Sequence, residues 1–131
     1  MREVEVTRFV QAPPAAVAPL LSPVGLVDAE GSFEVRGVED TDDGTEVTVG
    51  AYGLELTFRF TDIEEGIAYE QVAGPLRTLE TTVTHAPENE GTRLTARSTV
   101  AVGGPGFVDG LAVWKRRGEL KRALRAVEAA L

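Results

Sequence analysis

The residues best able to do chemistry lie in the C-terminal segment. Leu120, Leu124, Val127 and Leu131 recur at helical spacing, and stepping back along that stripe reaches Arg117 and Arg116 before Val113. One arginine therefore falls at the core-facing edge of a helix, where an apolar residue is the norm, and Arg117 is the one expected there. A guanidinium so placed binds a carboxylate or polarises a carbonyl of a ligand. The plainer reading is a stem packed on the apolar face with its head reaching solvent or a glutamate. His85 is the single histidine. It is followed two residues on by Pro87 and has no Asp or Glu at ligand spacing, so it reads as a rim residue before a catalyst. Glu80 and Asp109 would serve as acid or base only if buried. With no cysteine, thiol nucleophiles, disulfides and thiolate metal sites are excluded, and one histidine excludes a multi-histidine metal centre. There is no Ser/His/Asp order, and the proline in Gly103-Gly104-Pro105-Gly106 removes an amide that a phosphate nest would use. No catalytic residue is assigned and no cofactor or metal is expected.

These residues sit in a chain of 131 residues, 43% apolar and 26% charged, which reads as a single domain spanning 1–131. No apolar run approaches the ~20 residues of a membrane span. The opening MREVEVTRFV alternates charge with valine, unlike a signal peptide. A cytoplasmic protein with no stable membrane insertion is the expectation. Twenty-one acidic residues against thirteen basic ones give a net charge of −8, which disfavours non-specific attraction to phosphate backbones or anionic lipid, so nucleic acid is not expected as a partner. Only Lys115 and Lys121 are lysines, and acids cluster at Glu39, Asp40, Asp42 and Asp43 and at Glu88 and Glu90. That pattern suggests a halophilic protein, its carboxylates kept solvated in a salt-rich cytoplasm.

The elements that must position the candidates follow from periodicity. Glu3 to Val10 alternates as a half-buried strand. Pro13 and Pro14 stop it, Ala15 to Leu21 offers a short apolar helical segment, and Val24 to Ala29 a second short turn or helix. From Phe33 the pattern returns to period two, in segments Phe33 to Val38, Thr45 to Ala51, Leu54 to Thr61, Ile67 to Val72, Leu76 to Ala86 and Thr92 to Val102. The breaks are the acidic turn Asp40 to Gly44, then Gly53, Glu64-Glu65-Gly66, Gly74-Pro75 and Pro87 to Gly91. Phe107 to Leu131 is the one strong helix. Six strands in a meander, one before them and a long helix after them predict an α+β layer: a curved antiparallel sheet of about seven strands closed by the C-terminal helix.

The phrase Phe9-Val10-Gln11-Ala12-Pro13-Pro14-Ala15-Ala16-Val17, the order of elements and the arginine- and leucine-rich helix after a Gly-Pro-Gly loop resemble the helix-grip START superfamily, within it the polyketide cyclase/dehydrase and lipid-transport (SRPBCC) group. The resemblance covers essentially the whole chain. It implies a helix-grip fold whose sheet and long helix enclose an apolar cavity for a lipid, quinone, polyketide or other hydrophobic small molecule.

If such a cavity exists, its walls are the inward positions of the strands. With Leu54, Leu56, Phe58 and Phe60 inward, the same alternation places Ile67, Tyr69 and Gln71, then Leu79, Thr81 and Val83, then Leu94, Ala96, Ser98 and Val100 on that face. The candidate ligand contacts are Leu56, Phe58, Tyr69, Gln71, Leu79, Thr81, Val83 and Ser98 from the sheet and Val113, Trp114 and Arg117 from the helix. Tyr69, Gln71, Thr81 and Ser98 are its polar minority, as ligand-orienting groups or as ordinary bonded core polar groups. Phe107, Leu111 and Trp114 fall on the far side of the helix from Leu120. Either the helix kinks near Gly118 or starts late, or the three form a portal flap or a homodimer contact. The preferred reading is non-catalytic carriage or sequestration of a hydrophobic molecule. The alternatives are a polyketide cyclase or aromatase using Tyr69, Arg117 or His85, and a protein-interaction module anchored by Phe107, Leu111 and Trp114.

Overall fold

The computed structural model describes residues 2–51 and 53–131. Strand β1 (Arg2–Val10) is followed by helix α1 (Pro14–Val17), a 3₁₀ turn (Ala18–Leu20) and helix α2 (Pro23–Glu30). Strands β2 (Glu34–Thr41), β3 (Gly44–Ala51), β4 (Leu54–Ile63), β5 (Gly66–Ala73), β6 (Thr78–Glu88) and β7 (Gly91–Ala101) follow, then helix α3 (Gly106–Ala129). The strands form one antiparallel sheet in the order β1-β7-β6-β5-β4-β3-β2, so β1 closes the meander by pairing with the last strand, Val4 opposite Ser98. Seven strands, a short helical region after the first and a long C-terminal helix across one face make the helix-grip arrangement expected from the sequence.

Alternation explains the sheet. Leu56, Phe58 and Phe60 on β4, Ile67 and Tyr69 on β5, Leu79 and Val83 on β6 and Leu94, Ala96 and Val100 on β7 are buried together with Leu120, Ala123, Leu124 and Val127 of α3. Leu54 is the departure: at the start of β4, beyond the cover of α3, it is exposed. On the opposite face charged pairs cross between strands, Arg59 to Glu46 at 3.0 Å and Arg97 to Glu5.

The structure moves several boundaries. The first helical segment ends at Leu20 and is split into an α turn and a 3₁₀ turn. β2 runs through Asp40 to Thr41, because Thr45 Oγ1 donates to Asp40 and Thr41 Oγ1 to Gly44 O, so the hairpin closes only at Asp42-Asp43. α2 is a true helix, with Ser22 Oγ accepting from Gly25 N at 3.2 Å at its start. It ends at Gly31, whose φ of 79° is left-handed. The reading Val24 to Ala29 stops one residue short of Glu30, which is buried.

α3 is continuous through Gly118. Neither a kink nor a late start conceals Phe107, Leu111 and Trp114, which are 70%, 62% and 77% exposed. Leu131 lies past the end of α3 and is exposed, so the buried stripe ends at Val127.

Candidate functional site

Where α3 crosses the sheet, the core is polar. Arg116 is 2% exposed and all five of its N–H groups are committed. Nε donates to Ser98 Oγ at 3.1 Å, Nη1 to Glu119 Oε1 at 3.0 Å and to Glu30, and Nη2 to Thr81 Oγ1 at 2.8 Å and to the Tyr69 hydroxyl. The Tyr69 hydroxyl donates to the Glu30 carboxylate, at 2.8 and 2.9 Å from its two oxygens, and Thr81 and Ser98 hydroxyls meet at 2.9 Å. At the edge of the cluster Lys115 Nζ donates to Glu119 Oε2 at 2.5 Å and to Ser32 Oγ at 3.0 Å. Two cations face two carboxylates, and among the described residues no buried side-chain polar atom lacks a partner.

The two carboxylates are held differently. Burial pushes Glu30 above the usual carboxylate range, against the pull of Arg116 and Tyr69. Burial also opposes ionisation of Glu119, but Arg116, Lys115 and Ser32 together hold it below its ordinary value. Burial keeps the Tyr69 phenol protonated well above its ordinary value, and the carboxylates and Tyr69 outweigh burial to keep Arg116 charged.

Beside this cluster lies an apolar cavity of about 240 Å³ between sheet and helix. Leu56, Leu76, Leu79, Val100 and Ala112 are among its walls, Arg116 and Glu119 border it, and the exposed Leu54 and Pro75 mark its opening.

The sequence candidates divide accordingly. Leu56 and Leu79 line the cavity, whereas Phe58 and Val83 are packed in the core outside it. Tyr69, Thr81 and Ser98 come together in the polar cluster. Gln71 pins the turn beside the cavity, its amide donating to Leu76 O at 2.7 Å and accepting from Leu76 N at 3.2 Å. Val113 is half-buried against the core and does not line the cavity. Trp114 and Arg117 are corrections: both are exposed and border a groove on the outer side of α3. His85, on β6, pairs with Leu94 of β7 and does not line the cavity, Glu80 is exposed, and Asp109 accepts from Val102 N at 2.8 Å at the start of α3.

The structure replaces Arg117 with Arg116. One residue along a helix turns it by ~100°, and the buried set Arg116, Glu119, Leu120, Ala123, Leu124 and Val127 forms one face at spacings of three and four. Ala123 carries the signal that selects between the arginines, since seven residues before it stands Arg116. Glu119 follows from the same face, as a carboxylate one turn from a buried arginine. Glu30 carries no such signal, because only the tertiary packing of α2 against α3 brings it to Arg116.

A curved antiparallel sheet gripping a long helix, with an apolar cavity between them, defines the helix-grip class of fold. The chain belongs to the family described as polyketide cyclase/dehydrase and lipid transport, whose model matches residues 1–131. Solved structures share the fold. The protein TTHA0849 from Thermus thermophilus is 24% identical with a TM-score of 0.72, over 98% of this chain and 99% of that one. A START superfamily protein from Mycobacterium smegmatis is 15% identical with a TM-score of 0.70, over 98% and 95%. The Zhui aromatase/cyclase from Streptomyces sp. R1128 is 22% identical with a TM-score of 0.66, over 98% and 90%. No curated protein matches the sequence significantly. Among the described residues, no group of His, Asp and Glu could hold a metal ion, and no helix is long and apolar enough to cross a membrane.

Proposed function

We propose that the chain binds a small hydrophobic molecule, of the lipid, quinone or polyketide kind, in the cavity between the sheet and α3, for carriage or sequestration. The observation that carries this reading is an almost wholly apolar space of about 240 Å³ with an opening at Leu54 and Pro75, between the sheet and α3. That volume lies between the ~150 Å³ that takes benzene and the ~300–1,000 Å³ of drug-sized sites, so the cavity suits one or two rings or a short acyl segment. Arg116 offers a buried ligand no donor, because all five of its N–H groups are committed within the cluster.

A cyclase-type reaction through Tyr69, Arg117 or His85 has less support. Tyr69 directs its proton to Glu30, Arg117 faces away from the cavity and His85 does not line it. An environment-sensitive apolar dye tests the binding reading. It should bind the folded wild type near one-to-one and fail to bind Leu79→Trp, whose indole fills the cavity, while circular dichroism shows that variant folded. Equal dye binding by a folded Leu79→Trp rejects the site.

A further inference from the structure

We propose that the outer face of α3 docks on an anionic lipid surface and presents the cavity to it. The charges of this acidic chain are segregated. α3 holds six of the thirteen basic residues and three of the twenty-one acidic ones, so the helix is positive by three while the rest of the chain is negative by eleven. Of its three acids, Glu119 is buried in the cluster, Asp109 is bonded to Val102 N and Glu128 is paired with Arg8 at 2.6 Å. From Trp114 to Arg125 the outward side therefore shows Arg117, Lys121, Arg122 and Arg125 and no carboxylate.

The other half of the same face is apolar. Phe107, Leu111 and Trp114 recur at helical spacing, and they are the three most exposed large apolar side chains among the described residues. Aromatic and aliphatic groups followed by a basic stretch along one helix are what an anionic membrane interface accepts, rings at the headgroup boundary and cations on the lipid phosphates. A shallow groove of about 660 Å³ joins the halves, bordered by Leu111, Trp114, Arg117 and Lys121. Lys115 borders both this groove and the cavity, so a surface bound to the outer face of α3 lies beside one wall of the cavity. The docking rests on the charge and apolar pattern of α3 and not on the cavity reading, which only gives it a use.

Trp114 is the single tryptophan, so its emission reports this face directly. At low ionic strength, vesicles of phosphatidylcholine mixed with phosphatidylglycerol should shift the emission to the blue and carry the protein down on centrifugation, and neutral phosphatidylcholine vesicles should not. Molar KCl should weaken the binding, since it cuts the screening length to ~3 Å. Lys121→Glu with Arg125→Glu, both exposed, should lower vesicle affinity at least about tenfold, each cation near the surface being worth roughly fivefold. The same double variant should bind the apolar dye as wild type does, and Leu79→Trp should still bind vesicles, which separates failure of docking from failure of the cavity. An unshifted Trp114 on anionic vesicles overturns the proposal. So does a shift of equal size on neutral vesicles, a shift given by polyglutamate but not by vesicles, which assigns the face to an acidic protein, or a concentration-dependent shift without lipid accompanied by a doubled mass, which assigns it to a second copy.

Discussion

Arg116 of α3 and Glu30 at the end of α2 stand 86 residues apart in sequence and form an ion pair in the core, with the Tyr69 hydroxyl bonded to both. The contact depends on how α2 ends. Gly31 takes the left-handed turn, and Arg122 Nε then donates to the Glu30 carbonyl at 2.7 Å, so α3 holds the last residue of α2 through both backbone and side chain.

Removing Arg116 should be far more damaging than removing its neighbour. Arg116→Met leaves two buried carboxylates without their shared cation and should cost about 3–5 kcal/mol at neutral pH. Arg117→Met alters an exposed side chain and should cost less than about 0.5 kcal/mol. Urea unfolding followed by circular dichroism compares the two, and equal costs would place the buried arginine wrongly.

Glu30 and Glu119 should give stability curves of opposite slope. Glu119 is held below its ordinary value of 4.5, so the stability it adds is present above pH 4.5 and lost as pH falls through its folded value. Glu30 is raised above 4.5, so its contribution is full below pH 4.5 and lost as pH rises through its folded value. The advantage of wild type over Glu119→Gln should therefore shrink toward acid, and the advantage over Glu30→Gln should shrink toward neutrality. Unfolding free energies between pH 3 and 8 decide the matter, and parallel curves would refute the assignment.

Leu124 should be an anchor of α3 on the sheet. It is fully buried, so Leu124→Ala should cost on the order of 2–5 kcal/mol. A loss below about 1 kcal/mol in the same urea assay would mean that the neighbouring side chains collapse into the space.

The acidic surface should make stability depend on salt. Glu39 to Asp43 are all exposed on the β2–β3 hairpin, and we propose that screening their mutual repulsion stabilises the fold. The melting temperature should rise from low to molar KCl, and a flat or falling value would remove the halophilic reading.

Most of the fold was legible because strand alternation and turn residues are local. The hydrophobic period alone placed Phe58, Tyr69, Thr81 and Ser98 inward, and the run from Leu120 to Val127 onto the sheet. The centre of the polar cluster was not legible, for two separate reasons. A stripe of leucines fixes the face of a helix only to within one residue, and the difference between Arg116 and Arg117 is of that size. Glu30 lies on an eight-residue helix with little amphipathic pattern, and a charged residue at such an end reads as solvated until α3 is laid over it. The exposure of Phe107, Leu111 and Trp114 was visible in their spacing, but a straight helix was needed to choose between concealment and display.

The pairing of β1 with β7 sets an order on the formation of the molecule. Strands β2 to β7 are joined by short hairpins and can pair as each emerges, whereas Val4 waits for Ser98 and the sheet is completed only from its far edge. α3 follows β7 in the chain, so the helix lands on a sheet already built, and Arg116 reaches Glu30 only at that step. Until α3 docks, the part of the apolar face that Leu120, Ala123, Leu124 and Val127 cover stays open to water, which makes that interval one of exposure to aggregation.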